Sequence, residues 1–155
     1  MNALVVFYSR DGATRKAAQA IADALKCGIE EIVDTRKRHG FIGYVRCGFE
    51  AKFKQLTVLE ETKKDPTTYE LVIVGTPIWA STVSSPVRTN LVQHKDHLRR
   101  ISFFCTAGSG GNGNAFAEIQ SICNKKPTGT LKLSTEQVAK GLYAKEVEEF
   151  VKQIT

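Results

Sequence analysis

The chain has 155 residues, of which 42% are hydrophobic and 25% are charged, and its formal net charge is +6. This length suits one domain with a real core and is short for two, so we expect a single domain over residues 1–155. The composition excludes a disordered chain, and no apolar run approaches the roughly 20 residues of a membrane-spanning helix.

The first predicted unit is a strand, a tight loop and a helix. Residues 4–8 are a continuous apolar run, which is typical of a short strand buried on both faces. The polar loop 9–13 follows, and from Thr14 the apolar residues recur at helical spacing until Gly28, which we expect to end the helix. Residues 29–33 predict a second strand, whose polar composition favours a place near the sheet edge.

A helix is predicted over residues 41–56, where bulky apolar residues recur every four positions. These residues form one ridge along the predicted helix: Phe41, Val45, Phe49 and Phe53. A basic stretch precedes the ridge, and it consists of Arg36, Lys37 and Arg38.

The rest of the chain continues the alternation. Asp65 and Pro66 break the chain before the clearest buried strand, residues 71–75, which Thr76 and Pro77 are expected to stop. The remaining predicted elements are a helix after Ser85 and Pro86, a strand over 101–105, a glycine-rich loop over 106–113, a helix over 114–123, a strand over 129–133, and a helix over 135–154 with Ser134 as its cap and Gln137 behind it. Five strands alternating with helices predict an α/β fold with a three-layer, doubly wound, five-stranded parallel sheet.

In an open parallel sheet, ligands bind beside loops that follow the carboxyl ends of strands, where the strand order reverses. Three predicted loops qualify: residues 9–14, 76–85 and 106–113. The first combines a flexible Gly12 with hydroxyl groups and a helix start, which is typical of a phosphate site made of backbone N–H groups. It has no Gly-Lys-Ser/Thr and no GxGxxG pattern, which disfavours a nucleoside triphosphate or NAD as the resident cofactor.

The segment Val5-Val6-Phe7-Tyr8-Ser9-Arg10-Asp11-Gly12-Ala13-Thr14, with Ala18 and Ile21 behind it, matches the FMN-phosphate signature of flavodoxins. The chain therefore resembles the flavodoxin-like family, and the resemblance extends to residues 75–80 and 106–111. It implies the strand order 2-1-3-4-5 and one bound FMN. The residues it implies are Ser9, Arg10, Asp11, Gly12, Ala13 and Thr14 at the phosphate, Thr76, Pro77, Ile78, Trp79 and Ala80 beside the isoalloxazine, and Thr106, Ala107, Gly108, Ser109, Gly110 and Gly111 at its other rim.

We have specific expectations for three of these residues. Arg10 can add positive charge at the phosphate, whereas the Asp11 carboxylate has to point away from it. Trp79 is the only tryptophan, and we expect it to stack on the flavin or touch its edge. The alternative is that Trp79 simply packs under its loop.

The resemblance leaves two functions open. The chain can be an electron-transfer protein that serves redox partner proteins through an exposed flavin edge, with no catalytic side chain. It can also be an FMN-dependent NAD(P)H oxidoreductase that reduces a quinone. Flavodoxins that carry electrons are typically acidic, whereas this chain is basic, and a positive surrounding would favour the anionic reduced flavin.

The loop over residues 107–113 is a second difference from electron-carrying flavodoxins, because it contains no aromatic residue. Either one flavin face is open to a substrate, or the glycines let the backbone approach FMN closely, and the second interpretation is slightly favoured. The opening Ser9-Arg10-Asp11-Gly12, with Thr14-Arg15, also resembles quinone-linked protoporphyrinogen oxidases of this fold. That identity is a minor alternative, because the match does not continue into residues 75–79.

The charges, thiols and histidines of the chain say less about its function. The cations of residues 36–38 have three interpretations: a docking site for an acidic redox protein, a site for the 2′-phosphate of NADPH, or a solvated surface, which is the default. Nucleic-acid binding is disfavoured. Four separated cysteines predict structural thiols rather than a metal site, although Cys105 follows a strand beside the glycine loop and could be redox-active. No catalytic role is assigned to His39, His94 or His97, and the absence of a secretory signal predicts a cytoplasmic location.

Overall fold

The computed structural model describes residues 1–108, 111 and 113–155, and within these the chain forms six strands and six α-helices. The strands are β1 (Ala3–Phe7), β2 (Gly28–Glu31), β3 (Leu71–Trp79), β4 (Thr82–Val83), β5 (Arg100–Ala107) and β6 (Thr130–Ser134). The helices are α1 (Ala13–Leu25), α2 (Gly40–Lys52), α3 (Ser85–His94), α4 (Ala115–Cys123), α5 (Thr135–Ala139) and α6 (Ala144–Ile154), and a 3₁₀ turn, Pro66–Thr68, precedes β3.

Five strands form a parallel sheet in the order β2-β1-β3-β5-β6. Counted among the parallel strands alone, this is the predicted order 2-1-3-4-5, and the more polar β2 lies at the edge as expected. The short β4 adds a sixth, antiparallel strand that pairs Val83 with Ile78 and Thr82 with Trp79 of β3. This hairpin was not predicted.

Helices cover both faces of the sheet, because successive side chains of a strand point to opposite sides. On one face, Val5 and Phe7 of β1 belong to a buried cluster with residues of α1 and α6. On the other face, Leu4 and Val6 belong to a second cluster with residues of α2, α3 and α4. The three-layer, doubly wound α/β architecture is therefore confirmed.

Three predicted element ends are wrong. Helix α2 ends at Lys52 instead of residue 56, so Phe53 of the predicted ridge lies just after the helix. Helix α1 ends at Leu25, where Lys26 takes a left-handed conformation at φ 51°, and Gly28 begins β2 instead of closing the helix. Strand β3 continues through Pro77, which the sequence predicted to stop it. A proline is tolerated there because β1 ends opposite Gly75, so no neighbour on that side needs the missing N–H.

The C-terminal segment is two helices rather than the predicted one. Helix α5 begins at Thr135, and Ser134 caps it with the expected capping box. The Gln137 N–H donates to Ser134 Oγ over 3.0 Å, and Gln137 Oε1 accepts from the Ser134 N–H over 2.9 Å. The helix ends at Ala139, and Gly141, with φ +69°, turns the chain into α6. Within the described residues, no helix has the length and apolar character needed to cross a bilayer.

Candidate functional site

A pocket of about 500 Å³ lies at the carboxyl edge of the sheet, and all three predicted loops contribute to its wall. The predicted residues in that wall are Arg10, Asp11, Ala13, Thr14, Pro77, Ile78, Trp79, Ala80, Thr106, Ala107 and Gly108. The sequence did not point to the rest of the wall, which consists of Tyr44, Val45, Cys47, Gly48 and Thr135. This volume is within the usual range for small-molecule sites.

The first loop is shaped by Gly12. Its φ of +97° is in the left-handed region, and a Cβ placed there would meet nothing within 4 Å. The Gly12 N–H donates to Ser9 Oγ over 3.0 Å, which closes the loop before α1 begins at Ala13. The first-turn N–H groups of a helix have no partner within it, so they and the helix dipole favour an anion at this end.

The two charged residues of this loop pair with each other. Arg10 Nη1 lies 3.2 Å from Asp11 Oδ2, and the Asp11 side chain is 73% exposed, so its carboxylate turns outward. Arg10 Nε also donates to the carbonyl of Arg38 over 2.8 Å, and Nη2 donates to the carbonyl of Gly40 over 3.2 Å. The Arg10 guanidinium thus connects the first loop to the start of α2.

A hydroxyl pair joins the first and third loops. The Oγ1 atoms of Thr14 and Thr106 are 2.7 Å apart, and both residues are buried. Thr14 lies in the first turn of α1 and Thr106 near the end of β5, so this contact fixes one loop against the other.

Thr76 is fully buried and has an internal role. Its Oγ1 accepts a hydrogen bond from the Ser84 N–H over 3.1 Å and donates to the Pro77 carbonyl over 2.8 Å. These bonds tie β3 to the residue before α3. Thr76 is absent from the described pocket wall, whereas its neighbours Pro77 and Ile78 line it.

Trp79 is largely buried, with 9% of its surface exposed. Its ring lies edge-on to Tyr8, with centroids 5.5 Å apart and planes at 85°, and the Arg38 guanidinium carbon lies 5.3 Å from the Trp79 centroid. Burial raises the pKa of Tyr8 to about 12. Trp79 packs beneath its loop and also reaches the pocket wall, and its contact with a flavin stays a prediction.

The hairpin between β3 and β4 is strained. Its two turn residues, Ala80 and Ser81, have φ of 49° and 63°, a left-handed pair that normally calls for asparagine and glycine. The carbonyl of Ser81 accepts a hydrogen bond from the Asn114 N–H over 2.9 Å. A Cβ on Gly113 would lie 2.1 Å from that same oxygen, so the hairpin rests against the bare backbone of Gly113.

The third loop is described in part. Gly111 is exposed and lies outside the described wall, and Ser109 and Gly110 fall outside the described residues. Cys105 is fully buried, and burial raises its pKa to about 12, which describes an inert structural thiol rather than a redox-active one.

Comparison with solved structures identifies the fold. A Bacteroides uniformis protein, provisionally named a flavoprotein, is 22% identical and superposes with a TM-score of 0.77 over 97% of both chains. A Lactobacillus acidophilus flavoprotein in complex with FMN is 19% identical, with a TM-score of 0.71 over 90% of this chain and 97% of that one. A Fusobacterium nucleatum flavodoxin bound to flavin mononucleotide is 12% identical, with a TM-score of 0.62 over 99% and 97%.

The chain has the flavodoxin-like fold. No protein-family model and no curated protein matches the sequence, so the likeness is one of structure. At these identities the superposition establishes the architecture and leaves the cofactor and the activity to be argued from this chain's residues.

Helix α2 adds a wall to the pocket of this flavodoxin-like domain that the sequence did not reveal. Three of the four buried residues of α2 are small, and one of these, Cys47, accepts a hydrogen bond at its Sγ from Arg38 Nη1 over 3.8 Å. Burial raises the pKa of Cys47, so the pocket has a protonated thiol in this wall. The spacing of the ridge predicted the helix but could not show that it crosses the pocket.

The default interpretation of the basic stretch as a solvated surface is wrong for Arg38, whereas Arg36 and Lys37 are exposed. This residue is buried, with its Nε 2.5 Å from Asp34 Oδ2 and its Nη2 2.7 Å from Glu50 Oε2. Arg36 Nη1 lies 2.5 Å from Glu50 Oε1. Burial disfavours the charged form of Arg38, but its contacts with Asp34 and Glu50 outweigh that cost and raise its pKa.

Proposed function

We propose that this flavodoxin-like chain binds one FMN in the pocket at the carboxyl edge and transfers electrons through the bound flavin. The observation that carries the proposal is the left-handed turn at Gly12, which opens α1 toward the pocket between two hydroxyl residues, Ser9 and Thr14. Two structurally similar proteins, from Lactobacillus acidophilus and Fusobacterium nucleatum, were solved with FMN, which supports the choice of cofactor.

The residues present fit the two ends of FMN. The phosphate would be held by first-turn N–H groups of α1 and by the hydroxyls of Ser9 and Thr14, with no lysine required. The ring would lie against Pro77 and Ile78 on one side and Ala107 and Gly108 on the other. When bound, FMN supplies one- and two-electron redox chemistry, and the protein supplies position and electrostatics.

The charge near the pocket is more balanced than the net charge of +6 suggests. Arg10 pairs with Asp11, and Arg38 pairs with Asp34 and Glu50. Paired cations shift a flavin potential less than free ones do. The positive composition is therefore a weaker argument against a low-potential electron carrier than the sequence alone suggested.

An FMN-dependent NAD(P)H oxidoreductase that reduces a quinone is the second candidate. The observation in its favour is that the described wall at Ala107 and Gly108 consists of small residues, and an open flavin face there would let a second flat ring stack on it. As a carrier, the protein would instead serve redox partner proteins, acidic ones included. The four cysteines are free, which suits a reducing compartment such as the cytoplasm.

The first experiment measures FMN in the purified protein. We expect stoichiometric FMN and a yellow protein, and a colourless protein that shows no binding in an FMN titration would refute the proposal. A matched pair tests the site: Gly12→Ala and Gly141→Ala strain two left-handed glycines that both have open space around them. Only Gly12→Ala should weaken FMN binding.

The second experiment separates the two candidates. The FMN-loaded protein is mixed anaerobically with NADPH and then with NADH, and bleaching of the flavin absorbance is followed. Rapid bleaching favours the oxidoreductase, whereas no bleaching by either nucleotide, together with reduction by a partner reductase, favours the carrier.

A further inference from the structure

The outward face of α2 and the residue after it are apolar. Six large side chains there are between 52% and 81% exposed: Phe41, Ile42, Tyr44, Val45, Phe49 and Phe53. We call this set the α2 face. Its members form one patch, since Phe41, Ile42, Val45 and Phe49 line a common shallow depression and the rings of Phe49 and Phe53 lie 4.7 Å apart. Proteins rarely expose so large an apolar patch without a partner for it.

The structure holds the α2 face outward. The inward side of α2 presents Gly43, Cys47 and Ala51, and a Cβ on Gly43 would lie 2.4 Å from the carbonyl carbon of Arg38. The backbone at Gly43 is therefore too close to the segment that precedes α2 to accept a side chain at that position. The buried ion pair between Arg38 and Glu50 also anchors the inward side of this helix. The apolar exposure thus follows from the close packing of the opposite side.

The exposed charged side chains of residues 37–54 all have one sign. They are the cations Lys37, Arg46, Lys52 and Lys54. The exposed Asp11 carboxylate is paired with Arg10, which lies over the Tyr44 ring of the face. Glu50 is the only acid between residues 36 and 54, and it is buried against Arg36 and Arg38. The outside of this segment is therefore aromatic and cationic, with no exposed carboxylate of its own.

We propose that the α2 face is the docking surface for an anionic lipid bilayer. A helix with aromatic residues outward and Lys or Arg at its flanks has the composition of segments that lie in the membrane interface. Anionic headgroups complement its four exposed cations. Because Tyr44 and Val45 also line the pocket, docking brings the pocket wall next to the lipid.

Two other occupants fit the face less well. A second copy of this chain would bring two sets of four cations together. A transient complex with an acidic redox protein uses a small interface, and protein interfaces are depleted in lysine, whereas three of the four exposed cations here are lysines. Bilayer docking does not depend on the proposed FMN chemistry, so its test is independent of that function.

The test is flotation of the full chain with vesicles of phosphatidylcholine alone or with 30% phosphatidylglycerol. We expect the anionic vesicles to bind the protein, the neutral ones to bind far less, and binding to weaken with added salt. Phe41→Ser with Phe49→Ser should lower partitioning by about tenfold or more. Arg46→Gln with Lys52→Gln should lower it by roughly 25-fold, since each cation contributes a factor of about five.

Matched controls change the same chemistry elsewhere on the surface. Val92→Ser with Leu142→Ser removes two exposed apolar side chains, and Lys126→Gln with Lys145→Gln removes two exposed cations, all outside the α2 face. These variants should bind vesicles as the unmodified protein does. All substituted positions are exposed, and circular dichroism verifies folding.

Three results would overturn the proposal. The first is no binding to anionic vesicles, and the second is binding that the control variants weaken as much as the α2 variants do. The third is that the unmodified protein binds no vesicles but self-associates or binds an acidic [2Fe–2S] ferredoxin, and that Phe41→Ser with Phe49→Ser abolishes this association. That result would assign the face to a protein partner.

Discussion

The hydroxyl oxygens of Thr14 and Thr106 lie 2.7 Å apart, although the two residues are 92 positions apart in the chain. Each residue ends up at the pocket because α1 begins, and β5 nearly ends, at the same edge of the sheet. A buried hydroxyl pair of this kind stabilises the contact between two loops, because one hydroxyl donates a hydrogen bond to the other.

Replacing Thr14 with valine should weaken both folding and FMN binding. The substitution keeps the side-chain shape but leaves the Thr106 hydroxyl unpaired, which should lower the free energy of unfolding by about 1–3 kcal/mol. It also removes a hydroxyl that we place at the phosphate, so we expect at least tenfold weaker FMN binding. Urea unfolding and quenching of flavin fluorescence measure the two effects.

Thr106→Val is the matched control, because it breaks the same hydroxyl pair from the other side. It should cost a similar free energy of unfolding but weaken FMN binding less, since Thr14 keeps its hydroxyl. Unchanged FMN affinity in Thr14→Val would show that the phosphate lies elsewhere. Equal losses of affinity in both variants would reduce Thr14 to a structural role.

The buried ion pairs of Arg38 should be important for stability. Arg38→Met removes a cation between Asp34 and Glu50 and leaves two buried carboxylates without it. Breaking a buried pair in this way costs about 3–5 kcal/mol, which urea unfolding would measure. The control is Arg15→Met, because Arg15 pairs with Glu31 at the surface and should contribute less than about 1 kcal/mol.

A double variant tests the cause of that loss. The double variant Arg38→Met with Glu50→Leu also removes one of the two carboxylates that Arg38→Met leaves without their cation. It should therefore recover part of the stability. A loss in Arg38→Met that matches the loss in Arg15→Met would show that the buried pair contributes little.

Local patterns in the sequence predicted five parallel strands and the meeting of three loops at one edge of the sheet, whereas the strand order was implied by the resemblance to flavodoxins. Apolar runs mark the buried strands, and Gly12 marks the turn into α1. Burial of Arg38 could not be predicted in this way, because a cation inside a basic stretch normally lies at the surface. Its partner Glu50 lies near the C-terminal end of α2, and only the packing of that helix brings the two together.

The β3–β4 hairpin could not be predicted for a different reason. Its turn residues, Ala80 and Ser81, lack the asparagine or glycine that marks a two-residue turn. The structure compensates through tertiary contacts with Gly113 and Asn114. The direction of the α2 ridge was equally hidden, because an outward apolar face has the same periodicity as an inward one.

Stability should fall at alkaline pH because of buried thiols. Burial raises the pKa of Cys105 to about 12 and that of Cys123 to about 11, from an ordinary value of 9.0. Above pH 9 the unfolded chain loses these protons while the folded chain keeps them, so folding becomes less favourable as pH rises. The contribution is fully present below pH 9 and is lost progressively toward pH 11–12.

The measurement is urea unfolding between pH 8.5 and 10.5 in the presence of a reductant. Cys105→Ala should reduce the downward slope by up to about 1.4 kcal/mol per pH unit, which is the linkage of one proton. The substitution also leaves a small cavity, but that cost shifts the whole curve and does not change its slope. Parallel curves for Cys105→Ala and the unmodified protein would contradict the assigned pKa.

The strained hairpin predicts different effects for substitutions at two nearby glycines, Gly113 and Gly111. Gly113→Ala would place a Cβ 2.1 Å from the Ser81 carbonyl oxygen, at a φ of +50°, so the hairpin has to move. Because Ala80 of that hairpin lines the pocket, we expect Gly113→Ala to lower both the free energy of unfolding and the FMN affinity. Gly111→Ala is the control, since a Cβ there meets nothing within 4 Å and should change little.

Ser81→Gly should have the reverse effect on stability. Glycine adopts the left-handed conformation of residue 81 without the cost of about 1–2 kcal/mol that a side chain bears there. The Ser81 carbonyl and its bond to the Asn114 N–H are unaffected, so we expect a gain of about 1 kcal/mol, offset in part by the greater freedom of glycine in the unfolded chain. Thermal unfolding measures it. If Ser81→Gly destabilises the protein and Gly113→Ala does not, the turn has a different conformation and the pocket a different wall at Ala80.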